Sequence, residues 1–219
     1  MTKRLALVAA AVACWSTVAG ATSINSPRQG TPDIFSDWID VTYDPSSGML
    51  TATGFAEEIN LPPKALITGP GPAGEGWGTF GLSIRVDSQG NLDGPGTDTD
   101  LVIGGNIPAL GLTDGSEPLL TGRVVQFGFP DAGGDPLEFV FSVTGGEAAH
   151  LYGGVGFLGV VELHGSGFPI PASFDLPFYS FGMALSDTYV VPEPLTVLVV
   201  VPLILVGRVA RRRASLPCC

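Results

Sequence analysis

Apolar and polar residues alternate with period two along much of the chain, the pattern of strands with one buried face. Ile39, Val41 and Tyr43 share one face, with Asp40 and Thr42 opposite. Asp44-Pro45-Ser46-Ser47-Gly48 follows, where Asp and Ser can bond nearby backbone and Gly accepts a positive φ. Met49 to Phe55 then resumes the alternation, with Leu50 and Ala52 against Thr51 and Thr53, which predicts a hairpin. Phe80, Leu82, Ile84 and Val86 alternate with Thr79, Gly81, Ser83 and Arg85 before a second turn, Asp87-Ser88-Gln89-Gly90. Further strands are expected over 101–103, 119–129, 137–143, 155–163, 174–185 and 189–191. In the run from Val155, the residues Phe157, Val161 and Leu163 line one face. The segment Glu147 to Tyr152, between glycine pairs, is the one helical hint. Strands and turns at this spacing predict an all-β fold: a single β-sandwich or jelly-roll-like domain over residues 22–187.

Composition agrees with a turn-rich β domain. The 219 residues include 31 Gly and 19 Pro, and 45% are apolar, enough for a packed core. The three cysteines are Cys14, Cys218 and Cys219, so the expected domain carries no disulfide. Six of the ten basic residues lie near the termini. Residues 22–187 hold four basic side chains against 20 acidic ones, a net of −16, which repels nucleic acid and anionic lipid.

The two ends read as targeting segments. Residues 1–21 have the order of a signal peptide: Lys3 and Arg4, then a mostly apolar run from Leu5 to Val18. Ala19-Gly20-Ala21 then sets small residues at the two positions signal peptidase inspects, so cleavage is expected after Ala21. A lipoprotein reading would modify Cys14, but Ala11 fits that pattern poorly and apolar residues continue past the cysteine. Residues 188–219 have three parts in order. Val191-Pro192-Glu193-Pro194 is followed by an uncharged stretch within 195–210 and by Arg208, Arg211, Arg212 and Arg213. As a helix, 195–210 would be roughly 24 Å long, short for a hydrocarbon core of about 30 Å unless Arg208 snorkels. The arginine cluster would act as a stop-transfer signal on the cytoplasmic side.

This three-part ending resembles the PEP-CTERM sorting signal. The resemblance covers about the last thirty residues, and Cys218-Cys219 departs from its usual basic ending. It implies that an exosortase, a membrane cysteine protease, recognises Pro192-Glu193-Pro194 and removes the tail. It also implies an exported protein of a Gram-negative, exopolysaccharide-making host, anchored by a transmembrane helix before processing and then placed in the envelope or outside the cell. Bodies of such proteins are strand-rich like this one and lend no activity.

Chemical motifs in the body are weak. Gly76-Trp77-Gly78-Thr79-Phe80-Gly81 matches GxGxxG, but a strand rather than a helix follows, so no helix N-terminus would meet a phosphate. The loop Asp93-Gly94-Pro95-Gly96-Thr97-Asp98-Thr99-Asp100 suggests calcium. An EF-hand register puts Asn91, Asp93, Gly94 and Asp100 at usable positions but fails at Gln89, so a solvated acidic loop is the expectation. His150 and His164 are the only histidines, too few for a catalytic zinc site, and His164 falls opposite the Phe157 face. No metal or other cofactor is expected. Trp38 lies opposite Ile39, Val41 and Tyr43, and with Trp77 is a candidate sugar-stacking platform. The sequence thus reads as an exported, non-enzymatic structural or matrix protein of the cell envelope. Its partners would be signal peptidase, exosortase, the membrane and exopolysaccharide, not nucleic acid. A carbohydrate-binding module is the first alternative and a glycoside hydrolase the second.

Overall fold

The computed structural model describes residues 24, 29–69, 75–130, 136–165 and 174–191. Ala19 and Ala21, the expected cleavage residues, lie outside them. So do Pro192, Glu193 and Pro194, the span 195–210, and Arg208 and Arg211–Arg213. Among the described residues no helix is long and apolar enough to cross a membrane.

The described residues form ten strands in chain order: β1 (Gln29–Asp44), β2 (Met49–Ile59), β3 (Ala65–Leu66), β4 (Thr79–Arg85), β5 (Leu101–Gly104), β6 (Leu120–Gly128), β7 (Leu137–Gly145), β8 (Leu158–Gly165), β9 (Phe178–Tyr179) and β10 (Ala184–Val190). Each long strand pairs antiparallel with the next, from β1 through β2, β4, β5, β6, β7 and β8 to β10. Strand β10 then pairs back onto β1. The result is a closed eight-stranded antiparallel barrel, with β3 and β9 as short additions at its margin. This corrects the expected sandwich or jelly roll. Alternation and turn spacing are the same in both architectures; what decides is the long-range pairing of the first and last strands.

Closure depends on the length and irregularity of β1. It has 16 residues and pairs with β2 along one edge and with β10 and then β9 along the other. Its register slips against β2 between Phe35 and Ser36 and between Asp37 and Asp40, and against β10 between Ser36 and Ile39. Such bulges bend a strand and increase its twist, as closure requires. Gly54 on β2 makes room for one of them. A Cβ there would stand 2.7 Å from Ile39 Cγ1 and 2.9 Å from the Asp37 carbonyl oxygen.

Inward-facing residues fill the barrel: Ile39, Val41 and Tyr43 from β1, Leu50 and Ala52 from β2, Phe80, Leu82 and Ile84 from β4, with Phe139, Phe141, Val161 and Leu163 opposite. The Phe141 ring is admitted by glycines on both flanking strands. A Cβ at Gly122 or Gly159 would stand 2.4 or 2.3 Å from it. Tyr43, Phe127, Phe129, Phe139, Phe174 and Phe178 stack at one end, with ring centroids 4.9 to 5.8 Å apart. Buried Tyr152, in a single 3₁₀ turn over Ala149–Tyr152, donates its hydroxyl to the Thr188 carbonyl at 2.8 Å.

Local details depart from the sequence reading in two places. Strand β8 begins at Leu158, so Phe157 lies before it and instead covers Gly153, while Gly159, Val161 and Leu163 share the alternating inward positions. The expected strand 174–185 is broken in two by a turn at Ser180–Met183.

Candidate functional site

Two residues other than glycine have positive φ among the described residues: Trp38 at +53° and Phe181 at +55°. Bulky side chains rarely adopt this conformation, and no burial compensates here, since Trp38 is 66% and Phe181 76% exposed. Trp38 comes two residues before Asp40 on β1, and the Phe181–Gly182 turn lies against Asp40, whose Oδ1 would stand 3.6 Å from a Cβ on Gly182.

The local chemistry explains how each is held. Trp38 lies within the β1 bulge, and its backbone N–H donates to Asp37 Oδ1 at 2.7 Å. Phe181 and Gly182 are the central residues of a tight turn closed by Met183 N–H donating to the Ser180 carbonyl at 3.2 Å. Gly182 also has positive φ, +68°. Two positive φ values in sequence match the primed turn that usually prefers Asn-Gly. Ser180 pins this turn to β1. Its hydroxyl accepts from Val41 N at 2.7 Å and donates to the Ile39 carbonyl at 3.1 Å, and its N–H donates to the Val41 carbonyl at 3.0 Å.

Other aromatics border the same wall. Tyr179 pairs with Thr42, and its ring meets Phe181 edge-on with centroids 4.4 Å apart. Its hydroxyl bonds Asp40, which raises the Tyr179 pKa above the ordinary tyrosine value. Phe55, exposed on β2, pairs directly with Asp37. Trp77, 51% exposed, precedes Gly78, whose carbonyl accepts from Ala56 N at 3.1 Å, so it stands next to the Phe55 segment. The stripe Tyr179, Phe181, Trp38, Phe55 and Trp77 thus crosses β9, β1, β2 and the entry to β4. Sequence reasoning had singled out Trp38 and Trp77. It missed Phe55, Tyr179 and Phe181, although Gly182 inside an expected strand was a turn signal.

The charged side chains bordering this stripe are carboxylates: Asp37, Asp40 and Glu57. The Glu57 pKa is raised, first by burial and then by the negative charges of Asp37 and Glu58. Among the described residues the lysine and arginines are engaged with other acids: Lys64 with Glu58, Arg85 with Asp93 and Arg123 with Asp98.

The acidic loop is a different object. Asp100 is 5% exposed, and its Oδ1 accepts from Thr97 N at 2.8 Å and Thr97 Oγ1 at 2.7 Å, while Oδ2 accepts from Val124 N at 2.9 Å. Asp98 pairs with Arg123, and its carbonyl accepts the Thr144 hydroxyl. A cleft of about 380 Å³ opens beside the loop, lined by Met49, Arg85, Leu92, Asp93, Thr97 and Asp100. An adjoining cleft of about 410 Å³ is lined by Tyr43, Ser46, Ser47, Asp87, Phe174 and Asp175, with Arg85 and Asp93 common to both. The turn aspartates Asp44 and Asp87 bond their own turns, and those bonds hold both carboxyls below the usual range, against burial in the case of Asp87. Among the described residues no group of three His, Cys, Asp or Glu side chains could hold a metal ion.

The outer wall across β7, β8 and β10 carries a second acidic feature. Glu138 and Glu162 are directly paired across β7 and β8, and Glu162 with Asp187 across β8 and β10. Both glutamates are buried. His164, the expected exposed histidine, stands with Nε2 3.5 Å from Glu162 Oε2. His150 is exposed, with Nδ1 2.9 Å from the Glu147 carbonyl. Asp33 lies close by, its carboxyl pushed up to about 6 by burial and by Asp187.

Val191, the first residue of the expected sorting motif, is the last described residue. Its N–H donates to the Leu158 carbonyl at 3.0 Å, which ties the end of the described chain to the start of β8. No protein-family model, curated protein or solved structure matches the chain.

Proposed function

We propose that the chain is an exported, non-enzymatic protein of the cell envelope whose barrel binds polysaccharide through the Trp38–Phe181 stripe. The observation that carries the reading is the pair of exposed aromatic residues held in left-handed backbone. A ring in that conformation gains nothing for the fold from solvent, but it offers a flat apolar face to the C–H face of a pyranose ring. Exposed aromatics grouped on one wall mark an interaction surface.

The targeting segments give the surface an address. Residues 1–21 direct export, with cleavage by signal peptidase after Ala21. Pro192-Glu193-Pro194, the apolar segment behind it and the arginines from Arg208 to Arg213 form a sorting signal read by an exosortase. Strand β10 runs seven residues from Ala184 beside the stripe to Val190, one residue before the end of the described chain, about 20 Å at strand rise. An anchor at Val191 would therefore hold the stripe clear of the membrane surface. The non-enzymatic reading is supported by the acids of the cleft beside the loop: Asp100 has both oxygens committed to three hydrogen bonds, and Asp93 stands 3.9 Å from Arg85.

The test is co-sedimentation of the mature exported protein with exopolysaccharide from its host. Wild-type protein is expected in the pellet, and the Trp38→Ala/Phe181→Ala double variant in the supernatant. Wild-type protein left in the supernatant would contradict the proposal.

A further inference from the structure

The stripe's charge selects among polysaccharides. Asp37, Asp40 and Glu57 border it. Asp37 accepts the backbone N–H of Trp38, Asp40 is bonded by the Tyr179 hydroxyl, and Glu57 has its proton affinity raised by burial and by Asp37. Lys64, Arg85 and Arg123 are engaged with Glu58, Asp93 and Asp98. A polymer of uronic acids or sulfated sugars would meet only like charge here. A neutral glycan would leave Asp37 and Glu57 repelling one another. An ammonium group relieves that repulsion and is attracted to the faces of the surrounding rings.

Resting on the glycan reading above, we infer that the stripe takes a polymer of hexosamine carrying free amino groups, its pyranose faces on Trp38 and Phe181 and its ammonium groups against Asp37 and Asp40. The sugar ring and the charge are then read by different side chains. Aromatic stacking supplies affinity for any pyranose, while the carboxylates supply the preference for the amine. Salt weakens the second contribution and leaves the first nearly unchanged, because exposed ion pairs are screened and stacking is not.

The experiment is calorimetric titration of the full mature protein with three hexasaccharides at pH 6: fully de-N-acetylated glucosamine, fully N-acetylated glucosamine, and a neutral glucan. A lysine hexapeptide is the fourth titrant. The de-N-acetylated oligomer should bind about tenfold tighter than either neutral oligomer, and that ratio should fall toward one at about 0.5 M salt. Asp37→Asn/Asp40→Asn keeps an acceptor for Trp38 N and for the Tyr179 hydroxyl, so its melting temperature should stay near wild type. It should lose the preference and keep the weaker binding of the neutral oligomers. Equal affinity for all three oligomers overturns the inference and leaves the glycan reading standing. Failure of all three to bind overturns both. Binding of the lysine peptide as tightly as the amino sugar overturns the assignment to a sugar.

Discussion

Asp100 separates a structural role for the acidic loop from a metal-binding one. Its carboxylate is almost wholly buried and accepts three hydrogen bonds at 2.7 to 2.9 Å, from Thr97 N, Thr97 Oγ1 and Val124 N. Asp100→Ala removes all three and leaves the buried Val124 N–H without its acceptor. Bonds to a charged acceptor contribute about 1.5–3 kcal/mol each, but they share one side chain and do not add. A net loss of about 3–5 kcal/mol follows, which lowers the melting temperature by roughly 10–15 °C for a domain of this size. Asp98→Ala breaks only the exposed pair with Arg123 and should cost at most about 1 kcal/mol. The assay is thermal unfolding of wild type and both variants, with and without about 1 mM calcium, the range of weak extracellular sites. Calcium should move none of the three curves. Asp100→Ala melting within about 2 °C of wild type would refute the structural role. So would a calcium-dependent rise in wild type that either variant abolishes.

Three more outcomes are expected. Asp33 keeps its proton to about pH 6 in the folded barrel but ionises near 3.8 once unfolded, so stability falls as pH rises through that window. Asp33→Asn should therefore stabilise by about 1 kcal/mol above pH 6, after discounting for partial exposure, and by nothing below pH 3.8; a pH-independent difference in melting would contradict this. Gly54→Ala puts a Cβ against Ile39 and the Asp37 carbonyl and should cost about 2–3 kcal/mol in urea unfolding. Gly81→Ala, whose Cβ would meet only the Val102 carbonyl at 3.7 Å, should cost under about 1 kcal/mol; equal costs would remove the argument for the bulge. Glu193→Ala should leave export intact and block tail removal, so that mass spectrometry of host membranes finds a species about 2–3 kDa heavier; a tail retained by wild-type protein would make the ending a plain anchor.

What was legible in the sequence was local. Alternation placed β4, β5, β6 and β7 within a residue or two and the β1–β2 hairpin at its turn, because each has one face in the core, though it ended β2 four residues early. The turn aspartates Asp44 and Asp87 act as their composition implied, bonding their own turns. Barrel closure was not legible, because the pairing of β1 with β10 joins residues more than 140 positions apart and leaves no trace in local periodicity. The full length of β1 was hidden too, since its bulges at residues 36–40 break the alternation that marks a strand. Trp38 was placed outward correctly, but its left-handed backbone follows from the bulge and from Gly54 on the neighbouring strand. Phe181 was missed because Phe-Gly is an unusual pair for a primed turn, and an aromatic residue there reads as strand. The burial of Glu138 and Glu162 had no sequence signal, since outward-facing acids are normally solvated.

The most direct test of the account uses the protein's own tryptophans. With residues 1–21 removed, as the proposed export requires, Trp38 and Trp77, both on the stripe, are the two indoles of the mature chain. Their emission is titrated with the de-N-acetylated glucosamine hexasaccharide. The account predicts the long-wavelength emission of solvated indoles, a saturable shift to shorter wavelength as sugar covers them, and loss of most of that shift in Trp38→Phe. Emission that stays unchanged up to millimolar oligosaccharide, or a shift that Trp38→Phe leaves intact, would contradict it.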